Sequence, residues 1–68
     1  MNVSKLTSYM TPADQGIIAA IVDTHSDAGD DAAFDGIRDD IYWNASLDLD
    51  FSAAERMAYS IVHECKRV

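Results

Sequence analysis

Cysteine occurs once in this chain, at Cys65. A lone thiol closes no internal disulfide, so packing alone must hold the fold, and a reducing compartment is expected. Basic residues are scarce as well: five Lys and Arg stand against twelve Asp and Glu, for a net charge of −7. That balance repels phosphate, which argues against direct nucleic-acid binding and against anionic membrane surfaces. Long apolar runs are missing. The longest, Ile17 to Val22, is six residues, far below the ~20 of a membrane span. No apolar stretch follows Met1-Asn2-Val3-Ser4-Lys5 in the manner of a secretory leader. The expected localisation is cytoplasmic. The three glycines, Gly16, Gly29 and Gly36, lack the spacing of a phosphate-binding loop.

What is present suits a folded protein. Apolar residues make up 49% of the chain, enough for a packed core, and the 68 residues allow one small domain of marginal stability over residues 1–68. The acidity is not evenly spread. Residues 23 to 50 hold nine aspartates (Asp23, Asp27, Asp30, Asp31, Asp35, Asp39, Asp40, Asp48, Asp50) against Arg38 alone, a sum of −8. The flanking thirds are nearly neutral. No glutamate is used in this stretch, although Glu is the better helix former. Caps and turns favour Asp and account for Asp27, Asp30, Asp48 and Asp50; the others need another reason.

Helix punctuation is clear in two places. Thr11-Pro12-Ala13-Asp14 offers a hydroxyl cap, proline at the first helical position and an early carboxylate. It predicts a helix over about 12–25, with Ala13, Ile17, Ala20 and Ile21 on one stripe and Ile18 and Val22 widening it. So apolar a helix is expected at the centre, touching both neighbours. Ser52-Ala53-Ala54-Glu55 reads as a capping box, opening a helix over about 53–66. Its stripe is Ala54, Met57, Ala58, Ile61, Val62 and Cys65, closed by Lys66 and Arg67 at the negative end of the dipole.

Between them, Phe34, Ile37 and Ile41 mark a helix over about 31–44. Gly36 costs it about 1 kcal/mol relative to Ala, unless close approach of the first helix requires it. On its other side Asp31, Asp35 and Asp39 recur every fourth residue, roughly 6 Å apart along the axis. Each adjacent like-charge pair costs roughly 0.2–0.5 kcal/mol. Leu47-Asp48-Leu49-Asp50-Phe51 alternates with period two and predicts an extended segment that brings its three apolar residues onto the core. It reads equally as linker or as a strand pairing with residues 3–9. Tyr9 and Met10 are expected to plug one end, and Tyr59 to face solvent. The fold class is therefore all-α: a small three-helix bundle with an irregular amino-terminal segment.

Chemistry-bearing patterns are weak. A calcium loop opening at Asp23 would use His25, Asp27 and Asp31, but its sixth position is Ala28 rather than Gly and its twelfth is Phe34 rather than Glu. His63 and Cys65 lie about 200° apart around a helix and cannot share an ion. Cys65, on the apolar stripe, reads as a small buried hydrophobe rather than a nucleophile. The carboxylates line a convex face instead of the sheltered cleft that acid–base catalysis needs. No enzyme activity, metal or cofactor is expected.

Tyr42 and Trp43 beside Asp39 and Asp40 have the make-up of a binding hot spot, a large apolar anchor inside a charged rim; Trp43 could equally close a small core. Carboxylates in rows on a rigid helix can stand in for phosphates. The expected partner is thus a basic surface of a nucleic-acid-binding protein or complex, met by Asp27, Asp31, Asp35, Asp39, Asp40, Tyr42 and Trp43. Small size, strong acidity, a capped bundle and the absence of a catalytic motif together resemble the small inhibitors carried by bacteriophages and mobile elements. Anti-CRISPR proteins, anti-restriction proteins and phage inhibitors of host polymerase belong to that class. The resemblance is one of composition, without a family motif. The alternative is a self-associating helical subunit, a homodimer completed by Ile18 and Val22, whose charge provides only solubility.

Overall fold

The computed structural model describes residues 7–65, with the backbone alone at 64 and 65. Three α-helices follow one another, α1 (Pro12–Thr24), α2 (Asp30–Tyr42) and α3 (Phe51–Ser60), and a π-helical segment, Ile61–Cys65, continues α3. Together they form a small helical bundle, and its radius of gyration of 10.6 Å matches the roughly 11 Å of a packed domain this long. The expectations for Lys66 and Arg67, for the Cys65 side chain and for pairing by residues 3–6 lie outside the described residues.

α1 starts as its punctuation dictates. Thr11 Oγ1 accepts from the Asp14 amide at 3.2 Å, and Pro12 fills a position whose amide would have had no helical partner. The turn before it is held by Gln15, which donates to the Thr7 and Met10 carbonyls at 2.8 and 3.3 Å. α2 starts at Gly29, which gives no side-chain cap; Asp30 and Asp31 in its first turn instead favour the positive end of the dipole. α3 departs from its expected cap. Asp50, not Ser52, is the N-cap, its Oδ1 accepting from the Ala53 amide at 2.7 Å, so the helix starts two residues early and includes Phe51 and Ser52. Both residues are good caps; a carboxylate at the helix start also gains from the dipole, which a hydroxyl does not.

The core consists of Ile18 and Val22 from α1, Ala33, Ile37 and Ile41 from α2, Leu47 from the connection, and Ala54, Met57, Ala58, Ile61 and Val62 from α3 and its extension. On α3 the sequence stripe is the buried stripe as far as Val62. On α1 it is not. Ala13 and Ala20 are exposed and Ile17 and Ile21 only half-buried, while Ile18 and Val22 are fully inside. The i, i+4 pairs Ile17/Ile21 and Ile18/Val22 are offset by one residue, so helical periodicity ranks them equally and contact with the neighbouring helices decides. Burial of Ile18 and Val22 also removes them as a dimer surface. The central element is α2 rather than α1, since α2 packs on both α1 and α3. Ala33, Ala54 and Ala58, all fully buried, let these helices approach closely.

Gly36 does serve a close approach: a Cβ there would fall 2.4 Å from Cε1 of His25, the residue that ends α1. Residues 47–51 form no strand. Asn44 Oδ1 accepts from the Ser46 amide at 3.0 Å and Leu47 closes a turn onto the Asn44 carbonyl. Asp48 then takes φ 51°, a left-handed conformation that short polar side chains tolerate and a strand does not. Leu47 is buried and Leu49 half-buried, but Phe51 is exposed. Tyr9, expected as a plug, is 74% exposed; Met10 does pack against the core. Tyr59 faces solvent.

Candidate functional interface

The α2 periodicity that buries Ala33, Ile37 and Ile41 turns Asp31, Asp35 and Asp39 outward, and all three are exposed. The same four-residue step leads next to Trp43, the helix C-cap, whose amide donates to the Asp39 carbonyl at 2.9 Å. Trp43 is 78% exposed and takes no part in the core. Tyr42 meets it edge-on, with ring centroids 5.2 Å apart. Three acidic side chains and an indole thus form one ladder along a rigid helix.

Two residues join this surface that composition and periodicity did not single out. Phe51, pushed out by the early start of α3, lies edge-on to Tyr42 at 5.4 Å. Arg38 places its guanidinium 5.4 Å from the ring centroids of both Phe34 and Phe51. Its Nη1 reaches Asp35 Oδ1 at 3.3 Å and its Nε reaches Asp39 Oδ1 at 3.1 Å. Arg38 at i+3 from Asp35 and i−1 from Asp39 was the available signal; a count of net charge conceals it. The ladder is consequently less costly than three bare carboxylates in line. Two of its members share a counter-charge, although such exposed pairs each contribute only about 0–1 kcal/mol.

Asp40 belongs elsewhere. Its Oδ2 lies 2.7 Å from His25 Nε2, so this carboxylate ties α2 to the end of α1. Asp27 is exposed in the turn between α1 and α2. The expected partner-facing residues therefore divide: Asp31, Asp35, Asp39, Tyr42 and Trp43 share the ladder and its rings, while Asp40 is engaged by His25.

Among the described residues no three His, Cys, Asp or Glu side chains gather as a metal site would require, and no helix is long and apolar enough to cross a membrane. A groove of about 220 Å³ is lined by Tyr9, Leu49, Ala53, Arg56, Met57 and Ser60. Among the described residues its lining includes no carboxylate or histidine, and it is smaller than the roughly 300–1,000 Å³ of typical ligand pockets. His63 lies against Tyr59, with ring centroids 4.3 Å apart. Comparison with protein-family profiles, with curated proteins and with solved structures gives no match.

Proposed function

We propose that this chain is an acidic protein-binding inhibitor that lays its α2 face on a basic surface of a nucleic-acid-binding protein or complex, in the manner of phage and mobile-element inhibitors. The observation that supports this most directly is the exposure of Tyr42, Trp43 and Phe51 at the end of the Asp31–Asp35–Asp39 ladder. Solubility alone calls for charge, but not for an exposed indole beside it. Large aromatics inside a charged rim are where binding energy concentrates, and a field from the −8 segment 23–50 would speed encounter with a cationic partner. Occupying a groove built for phosphates would block nucleic acid there.

A pull-down from bacterial lysate, eluted with rising salt, tests the reading. The expected result is a captured nucleic-acid-binding protein that leaves at moderate salt and is competed off by its own nucleic acid. Captured proteins without basic surfaces, or retention unaffected by salt, would contradict it.

A further inference from the structure

The surface already holds one guanidinium. Arg38 sits against two aromatic faces, Phe34 and Phe51, with carboxylates of Asp35 and Asp39 at its nitrogens. One helical turn beyond Asp39, Trp43 offers the strongest kind of cation–π acceptor. No cation of the described residues lies over it, and it is 78% exposed. Asp39 stands four residues before it on the same helical row, and a carboxylate accepts more than one charge-assisted hydrogen bond. Trp43 with Asp39 thus repeats, open to solvent, the arrangement that Arg38 fills within the chain.

Building on the proposed function, we infer that this aromatic surface takes an arginine side chain of the partner, stacked on Trp43 with Asp39 as its counter-charge. The physical basis is a difference between the two cationic side chains. The negative field of segment 23–50 attracts lysine and arginine alike. A planar, weakly hydrated guanidinium stacks on an indole while keeping its hydrogen bonds to a carboxylate; an ammonium is a strongly hydrated point charge and gains less. The acidic ladder accordingly supplies attraction, and Trp43 supplies the choice of arginine over lysine.

Trp43 is the single tryptophan of the chain, so its fluorescence reports this site directly. The full chain is titrated with an oligo-arginine and an oligo-lysine peptide of equal length at one ionic strength, by fluorescence and by calorimetry. The arginine peptide is expected to change Trp43 emission and to bind about fivefold or more tightly than the lysine peptide. Trp43→Ala should bring the two affinities together by weakening the arginine peptide alone, with the circular-dichroism spectrum unchanged because the side chain is exposed. Equal binding of both peptides to the unaltered chain would overturn arginine selectivity and leave the acidic interface standing. Binding of neither would overturn both readings. A dependence of Trp43 emission on protein concentration without peptide would assign the patch to a second copy and overturn the inference.

Discussion

Gly36→Ala sets two effects of similar size against each other. Alanine gains roughly 0.8–1.0 kcal/mol of helix propensity over glycine inside a helix. The new methyl carbon would lie 2.4 Å from His25 Cε1, 2.6 Å from Nδ1 and 3.0 Å from Nε2. Favourable carbon contacts begin near ~3.5 Å, so the ring must retreat by about 1 Å. The imidazole can do so, because it is the mobile end of a side chain that is only partly enclosed. Its retreat breaks the 2.7 Å contact with Asp40, whose side chain is 49% exposed, and an exposed pair contributes roughly 0.2–1 kcal/mol. Gly36→Ala alone is therefore expected to leave stability within about 0.5 kcal/mol of the parent. In a His25→Ala background the obstructing ring is gone and the same change should stabilise by close to 1 kcal/mol, a Tm rise of about 4–8 °C. Urea melts of the four chains close the double-mutant cycle, with an expected coupling of about 0.5–1 kcal/mol. Equal stabilisation in both backgrounds would refute the close approach of His25 to Gly36.

The α3 cap makes a second contrast: Asp50→Ala should cost about 1 kcal/mol and Ser52→Ala under about 0.5 kcal/mol, read from the same melts. Ile18→Ala and Ile61→Ala each remove a fully buried side chain and should cost roughly 2–5 kcal/mol, whereas half-buried Ile21→Ala should cost clearly less. The joint change of Asp31, Asp35 and Asp39 to Asn relieves repulsion but also removes the Arg38 pairs, so the fold should keep its stability within about 1 kcal/mol. Its affinity for a basic partner, measured by calorimetry, should fall roughly tenfold or more. Added monovalent salt should raise the Tm of the free protein by screening the segment 23–50 over the ~8–10 Å Debye length; calcium that stabilises at matched ionic strength, where sodium does not, would point to a metal site instead.

The parts of the fold that were legible in the sequence are those where local chemistry and periodicity agree. Thr11-Pro12 starts α1, and the stripe from Ala54 to Val62 is the buried face of α3. Elsewhere local signals were degenerate. Ile17/Ile21 and Ile18/Val22 are equivalent to a helical period, and Asp50 and Ser52 are both capable caps; tertiary contact chose in the first case and helix electrostatics in the second. The alternation of residues 47–51 was overridden by one left-handed residue, Asp48, which no pattern of hydrophobicity encodes. On the interface, the outward ladder followed directly from the four-residue spacing, and Trp43 continues it. Phe51 was not legible, because its role depends on α2 and α3 meeting where the chain is distant in sequence; Arg38 did carry a local signal in its spacing from Asp35 and Asp39, which a count of net charge conceals. Asp40 reads like its neighbours but is turned by one residue toward His25.

A localised interface, as opposed to a charge spread for solubility, is tested most directly by amide chemical-shift mapping. A ¹⁵N-labelled chain titrated with a short arginine-rich peptide is expected to shift the amides of Asp31, Asp35, Asp39 and Tyr42 and the indole N–H of Trp43. Asp14, Asp23 and Asp48 should stay nearly still. Shifts distributed evenly over all the aspartates, or centred away from α2, would contradict it.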